Sequence, residues 1–270
     1  MNKSNNNPPP KNEVFKPNTN MPAGMMERMQ ADAGKGLSTK AEDNIVPIIT
    51  VLQPLSPQLQ RSSTKYISSA MAGDIMMKNA ANPIIKGESG IIFQPCYFMK
   101  EWVEWVPRTS GGGFVARHEQ CPEDVKEIKD PQNPNKIRYL RPNGNEVIET
   151  RYHSGYVHMG ERRLPYVIPF ASTGHTVSRS WMFTMNSKRL QNGREAPSYA
   201  SLFRLVTRER SNPSGTWYVF DPIDMGWVTT MEDYDLGAKL HDAFARGEKA
   251  VEQPEDDGAT TAGIDENSRM

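Results

Sequence analysis

The sequence predicts a mainly β fold with a few helices: an OB-like curved barrel with a long β-hairpin excursion, an inserted helix and a C-terminal helix. Three observations predict it. β-Branched and aromatic runs recur from Ile45 to Phe220, each bounded by Gly, Pro, Asn or Asp turn signals. Beyond a short Met-rich stretch near the N-terminus, helical spacing behind a capping residue appears only after Ser172 or Thr173 and after Thr230. The stretch from Thr109 to Asn145, with Gly111-Gly112-Gly113 and DPQNPNKIRYLRPNGN, reads as a long flexible hairpin.

Residues 1–43 are poor in branched apolar side chains and rich in Asn, Pro, Lys and Met, the composition of a disordered arm. Met25, Met26 and Met29 allow a short amphipathic helix over Met25–Ala33. Residues 44–250 form the expected OB-like nucleic-acid-binding domain. Its strands are expected at Ile45–Leu52, at Gly73–Met77 before the Asn82-Pro83 turn, and at Gly90–Val106 as one bent strand or two. Val147–Met159 and Arg163–Ala171 follow, joined by the turn Met159–Arg162. The inserted helix runs to about Leu190. Tyr199–Arg208 and Thr216–Phe220 then make a hairpin-like pair around Ser211–Gly215, and the last helix runs from Thr230 to about Arg246. Residues 251–270 hold six acids and one base and read as a solvated acidic tail.

The chain has 270 residues, with 32 basic and 32 acidic side chains and a mean hydropathy of −0.66. No apolar run approaches the roughly 20 residues of a membrane helix. Met1–Asn20 lacks the apolar centre of a secretory leader, so the expected place is the host cytoplasm. Cys96 and Cys121 lie far apart and lack finger spacing; reduced thiols are expected of them rather than a disulfide.

The neutral total conceals an uneven distribution. Residues 44–250 hold 25 bases and 21 acids. Arg162–Arg210 alone carries nine bases against Glu195 and Glu209, with Tyr166, Phe170, Trp181, Phe183, Tyr199 and Phe203 among them. Cations that follow a phosphate backbone, beside rings on which bases stack, are the requirements of single-stranded nucleic acid. Alternation puts Arg204, Arg208 and Arg210 on one face of a strand with Val206, and Phe203, Leu205 and Thr207 on the other. Trp102 and Trp105 fall on opposite faces of theirs, one for the core and one for stacking.

Catalytic motifs are weak by comparison. Gly111–Gly113 and Gly34-Lys35-Gly36 lack the spacing and the following Lys or Ser/Thr of a phosphate loop. Glu127-Ile128-Lys129 with Asp124 matches half of a metal-nuclease signature, but in a polar insertion rather than on a rigid strand. His153 and His158 would face opposite sides of a strand, and His118-x-x-Cys121 lacks a second ligand pair. No cofactor, metal or catalytic residue is expected.

Ordered motifs add a resemblance. Val51-Leu-Gln-Pro-Leu-Ser-Pro-Gln58, Gly73-Asp-Ile75, Gln94-Pro-Cys-Tyr97, Glu104-Trp-Val-Pro-Arg108, Gly111-Gly-Gly-Phe-Val115, Pro142-Asn-Gly-Asn145 and Ser178-Arg-Ser-Trp181 follow one another between residues 42 and 220. In this order they resemble a family of tailed-phage single-stranded-DNA-binding proteins of replication and recombination. The resemblance implies an OB-type fold and no catalysis. One departure is the C-terminus: several such proteins close an acidic tail with an aromatic residue, whereas this chain ends Asn267-Ser-Arg-Met270.

The expected activity is non-catalytic coating of single-stranded DNA with little sequence preference. Arg204, Arg208, Arg210, Arg179, Lys188 and Arg189 are expected to neutralise phosphates, with Arg108 beside the tryptophan pair. Trp217, Trp181 and one of Trp102 and Trp105 are expected to stack on bases, although the spacing of Trp181 with Val177 and Met185 also fits a core position. Protein partners expected on this reading are phage replication or recombination proteins, or host RNA polymerase through the acidic tail; a homo-oligomer is compatible with it. Two alternatives remain, a virion or assembly protein and a transcription regulator that contacts RNA polymerase.

Overall fold

The computed structural model describes residues 22, 24–32, 36, 40–79, 81–129, 137–213 and 215–253. A first unit contains helix α1 (Met25–Ala31), on which Met25, Met26 and Met29 are all exposed. The second unit begins at Lys40. It opens with β1 (Ile45–Val46), β2 (Ile49–Val51), β3 (Ile75–Met77), β4 (Ile84–Ile85) and the long β5 (Ile91–Trp105). Then come β6 (Phe114–His118), β7 (Lys126–Lys129), β8 (Ile137–Leu140), β9 (Glu146–Met159) and β10 (Arg162–Ala171). Helix α2 (Gly174–Ser187), the hairpin β11 (Ser201–Asn212) and β12 (Gly215–Trp227), helix α3 (Met231–Ala245) and β13 (Ala250–Val251) complete it.

The fold is mainly β, built on the two longest alternating runs. β5 and β9 pair antiparallel from Ile92↔His158 to Trp105↔Glu146. At one end β11 adds to β5 and β10 to β9; at the other, β6 adds to β5 and the β8–β7 hairpin to β9. The register slips between Pro95 and Tyr97, a bulge that bends β5 and curves the sheet. Beside it Gly155 is required, since a Cβ there would lie 2.1 Å from the Gln94 carbonyl oxygen.

Two cores cover the two faces. On one, Phe93, Val157, Ile168, Phe170, Phe203 and Leu205 pack against Trp181 and Met185 of α2 and against Ile49, Ile75 and Met77 of the small β2–β3–β4 sheet. On the other, Cys96, Val103, Trp105 and Tyr152 pack against Leu240 and Phe244 of α3, with Val46, Ile48 and Val251. Burial of these apolar faces is the main stabilising term, at roughly 25 cal/mol per Å² of apolar surface.

The curved sheet is not closed into a barrel by a continuous ladder. Between β10 and β12 the connection passes through β2: Ile48 bridges Val167, and the Gln53 side-chain amide exchanges 2.9 Å hydrogen bonds with the backbone of Tyr218. The Tyr218 ring in turn lies over Gly73, whose φ of 89° and missing Cβ allow that approach.

Several expectations change. The stretch after Thr109 does contain a hairpin, β7–β8, but through β6 and β8 it is also part of the main sheet; residues 130–136 lie outside the described residues. α2 ends at Ser187, and its N-cap Thr173 makes no side-chain capping bond. α3 is capped as expected, the Thr230 hydroxyl accepting from the Asp233 N–H at 3.0 Å. The C-terminal boundary moves outward: β13 runs parallel to β1, Val251 is buried, and the Glu252 carboxylate accepts from the Ile48 N–H. Most of the N-terminal arm, and the acidic tail from residue 254 on, lie outside the described residues. No helix among the described residues is long and apolar enough to cross a membrane.

Candidate nucleic-acid interface

The β11–β12 hairpin sorts its side chains by alternation. Phe203 and Leu205 are fully buried under α2, so Arg204, Val206, Arg208 and Arg210 point away from that core. Across the ladder they meet Ile223, Asp221, Val219 and Trp217, which puts three arginines and one tryptophan on one outward face. Arg208 is ion-paired with Asp221, whereas Arg204 and Arg210 are exposed and have no ion pair among the described residues. Arg208 and Arg210 stand about 6.8 Å apart along the strand, the two-residue repeat of an extended chain.

The cations around α2 do not join this face. α2 packs on the Phe203 side of the sheet, with the Trp181 and Phe203 rings 5.5 Å apart, so the exposed Arg179 lies on the other side of the β11–β12 hairpin from Arg204. Lys188 is committed internally. Its Nζ donates to Asp224 at 2.6 Å and to the Gly226 carbonyl at 2.9 Å, and lies over the Phe203 and Trp227 rings. Arg189 pairs with Glu195 and donates to the Asn186 carbonyl. The expectation of one continuous groove from these six cations is therefore corrected: though close in sequence, they lie on two faces of the sheet.

Trp181 is also corrected. It is 2% exposed, stacks on His153 with ring centroids 4.6 Å apart and meets Phe93 and Phe170, so it belongs to the core and has no free face for a base. Trp105 is buried against Phe114. Trp102, on the other face of β5, is half-buried with its ring edge-on to Tyr139 at 5.1 Å, some distance along the sheet from the β11–β12 face. The Arg108 side chain lies outside the described residues.

Trp217 occupies the most informative position. It faces Arg210 and also lines a pocket of about 90 Å³ on the edge of β12. Ile49–Val51 and Gln53, the end of β10, and the turn Ala171–Gly174 into α2 form the other walls. Ser172 in that turn has a φ of 46°, unusual for a residue with a Cβ. Sequence reasoning missed this pocket because it assembles three segments that lie far apart in the chain.

The residues that a hydrolytic site would use are engaged structurally. Glu104, 3% exposed, accepts from Asn145 Nδ2 at 2.6 Å and Arg141 Nη1 at 2.9 Å, and lies 2.9 Å from His118 Nε2. Burial raises its pKa, but these hydrogen bonds and the Arg141 charge outweigh burial and hold it below the usual value. Asp124 binds Arg141 rather than a metal-ready site, and Glu127 lies on the exposed strand β7. His153 is bonded to the Ser178 hydroxyl at 2.8 Å, and burial pushes its pKa down to about 3. Burial raises the thiols of Cys96 and Cys121, and both are free. Among the described residues no group of three His, Cys, Asp or Glu is placed to hold a metal.

No curated protein and no solved structure matches the chain. A family of bacteriophage proteins does, over residues 16–250, which takes in α1, the β11–β12 face, the pocket and both cores except Val251. By that match the chain belongs to the Pam3 phage gp34-like protein family.

Proposed function

We propose that this phage protein binds single-stranded DNA without catalysis, along the outward face of β11–β12. The observation that carries the reading is the alternation of Arg204, Arg208 and Arg210 on one exposed strand face with Trp217 directly across from Arg210. The arginines neutralise phosphates and the tryptophan supplies a stacking surface, a combination that is tolerant of sequence. The neighbouring Val206, Val219 and Ile223 give the sugar and base edges apolar contact. The protein would act in the host cytoplasm during replication or recombination, with partner proteins contacted through the acidic tail.

Fluorescence anisotropy of a labelled oligo-dT, titrated with the full chain at low and moderate salt with unlabelled duplex as competitor, tests it. Salt-sensitive binding that duplex does not displace is the expected result. No binding at low salt overturns the reading.

A second reading has its own observation. Met225, Trp227 and Met231 are exposed in succession where β12 runs into α3, and Phe183 on α2 is 76% exposed. Exposed apolar residues of this size favour a protein contact, as in a virion or assembly role. Defined oligomers that form without DNA, and dissociate on Trp227→Ser, would favour it.

A further inference from the structure

Two edges of the large sheet are closed by local chemistry. On β12 the Gln53 amide occupies the Tyr218 backbone, and Pro222 has no N–H to offer a further strand. On β10 the Val167 N–H donates to the Pro47 carbonyl, and Pro165 and Pro169 interrupt the row of donors. β7 is different. It ends the strand order beyond β8, all four of its residues are exposed, and among the described residues no strand pairs with its outer side. Such an edge presents N–H and C=O groups that a strand of another chain can take.

Lysines on an edge usually guard against that, but here the order of charges favours one partner. The run Lys126-Glu127-Ile128-Lys129 is self-complementary about Ile128. In an antiparallel pair, a two-fold axis through Ile128 sets Glu127 against Lys129 of the second copy, and Lys129 against Glu127 of the second copy. The two Ile128 side chains then meet, each 44% exposed in the single chain and so free to make an apolar contact. Other registers are worse. An axis between Glu127 and Ile128 opposes Lys126 to Lys129, and an axis through Glu127 or Lys129 opposes like charges directly. An axis between Ile128 and Lys129 sets isoleucine against lysine. Neither Glu127 nor Lys129 has an ion pair among the described residues that would compete.

We propose that two copies of this chain pair through β7, antiparallel and centred on Ile128, so that their sheets become one. The strand order puts β12 at the other end of the sheet from β7, so both β11–β12 faces stay open in the dimer. The inference does not depend on what those faces bind. Four residues from each copy make a small interface, so the association belongs to the weak, reversible class and follows concentration.

Sedimentation velocity of the full chain over a wide concentration range, without nucleic acid, tests this. A monomer–dimer equilibrium is expected, weakened by salt because its ion pairs are exposed. Glu127→Lys and Lys129→Glu should each weaken dimerisation at least about fivefold, since either change makes both cross-strand pairs repulsive. Glu127→Lys combined with Lys129→Glu should restore it. Because these side chains are exposed, all three variants should keep the melting temperature of the parent. Ile128→Cys in a Cys121→Ser background should give a disulfide-linked dimer on mild oxidation, the remaining Cys96 being buried. Residues directly opposite in an antiparallel pair have Cα atoms about 4.5–5.5 Å apart, within disulfide reach. Lys126→Cys should not crosslink, since its two copies stand roughly 13 Å apart along the ladder. A chain that stays monomeric throughout overturns the proposal. So does a dimer that the charge exchange fails to restore, or one that crosslinks through Lys126→Cys rather than Ile128→Cys. A dimer indifferent to the β7 charges and lost on Trp227→Ser overturns it too, and moves the contact to the apolar residues where β12 meets α3.

Discussion

Arg210 and Trp217 are direct cross-strand partners in the β11–β12 hairpin, so the last exposed arginine of β11 and the ring at the mouth of the β12-edge pocket occupy one position of the ladder. Side chains paired this way lie about 5 Å apart at Cβ. A phosphate held by Arg210 and a base held by Trp217 therefore belong to neighbouring parts of one strand, provided that the outward face is the binding face.

Arginine removal on that face tests this by salt dependence. Arg204→Ala and Arg210→Ala should each weaken oligo-dT binding and lower the slope of log affinity against log salt by about 0.7, one counterion-releasing contact on a single strand. Arg189→Ala, on the other side of the sheet and paired with Glu195, should leave the slope unchanged. Equal effects from all three would refute a single binding face.

Trp217→Ala and Trp181→Ala should separate binding from folding. The first should cost about 1–3 kcal/mol of oligo-dT affinity with little change in urea midpoint. The second removes a fully buried ring that packs on His153, Phe93, Phe170 and Phe203, and should cost about 3–5 kcal/mol of stability. Urea denaturation followed by circular dichroism distinguishes them.

Acidification should destabilise the protein in two windows. His153 ionises near 6.5 when unfolded and near 3 when folded, so the unfolded state binds the extra proton and stability falls as pH drops between those values. That group alone gives a slope of about 1.4 kcal/mol per pH unit, and burial lowers His158 and His175 in the same direction. Glu104 acts lower on the scale. Its folded pKa lies below the ordinary 4.5 of a free glutamate, so its contribution is present above 4.5 and is lost as pH falls through the folded value. Urea midpoints from pH 7 to well below pH 4 check both; in His153→Gln the upper slope should flatten.

Removal of the buried Glu104 carboxylate should be costly at neutral pH. Glu104→Ala leaves Arg141, Asn145 and His118 without their common acceptor, a loss of about 3–5 kcal/mol. Oligo-dT affinity of the folded fraction should not change, because this network lies at the far end of β5 from β11. Thermal unfolding and anisotropy on the same variant check the two halves.

Local patterns alone determined the β-rich class, the run of long strands, the Thr230 cap of α3 and the outward direction of Arg204, Arg208 and Arg210. Each depends on a period of two, or on one side chain reaching a backbone group three residues away, and such relations survive whatever the tertiary structure does. Tertiary structure alone decided which of these features share a surface. It sent Trp181 into the core and Arg179 to the opposite side of the sheet, tied Lys188 to Asp224, and built a pocket from Thr50, Ser172 and Trp217. The reason is physical. Chain order sets the direction of a side chain relative to its own element, but the packing of α2 and β2 over a curved, bulged sheet sets what that direction meets.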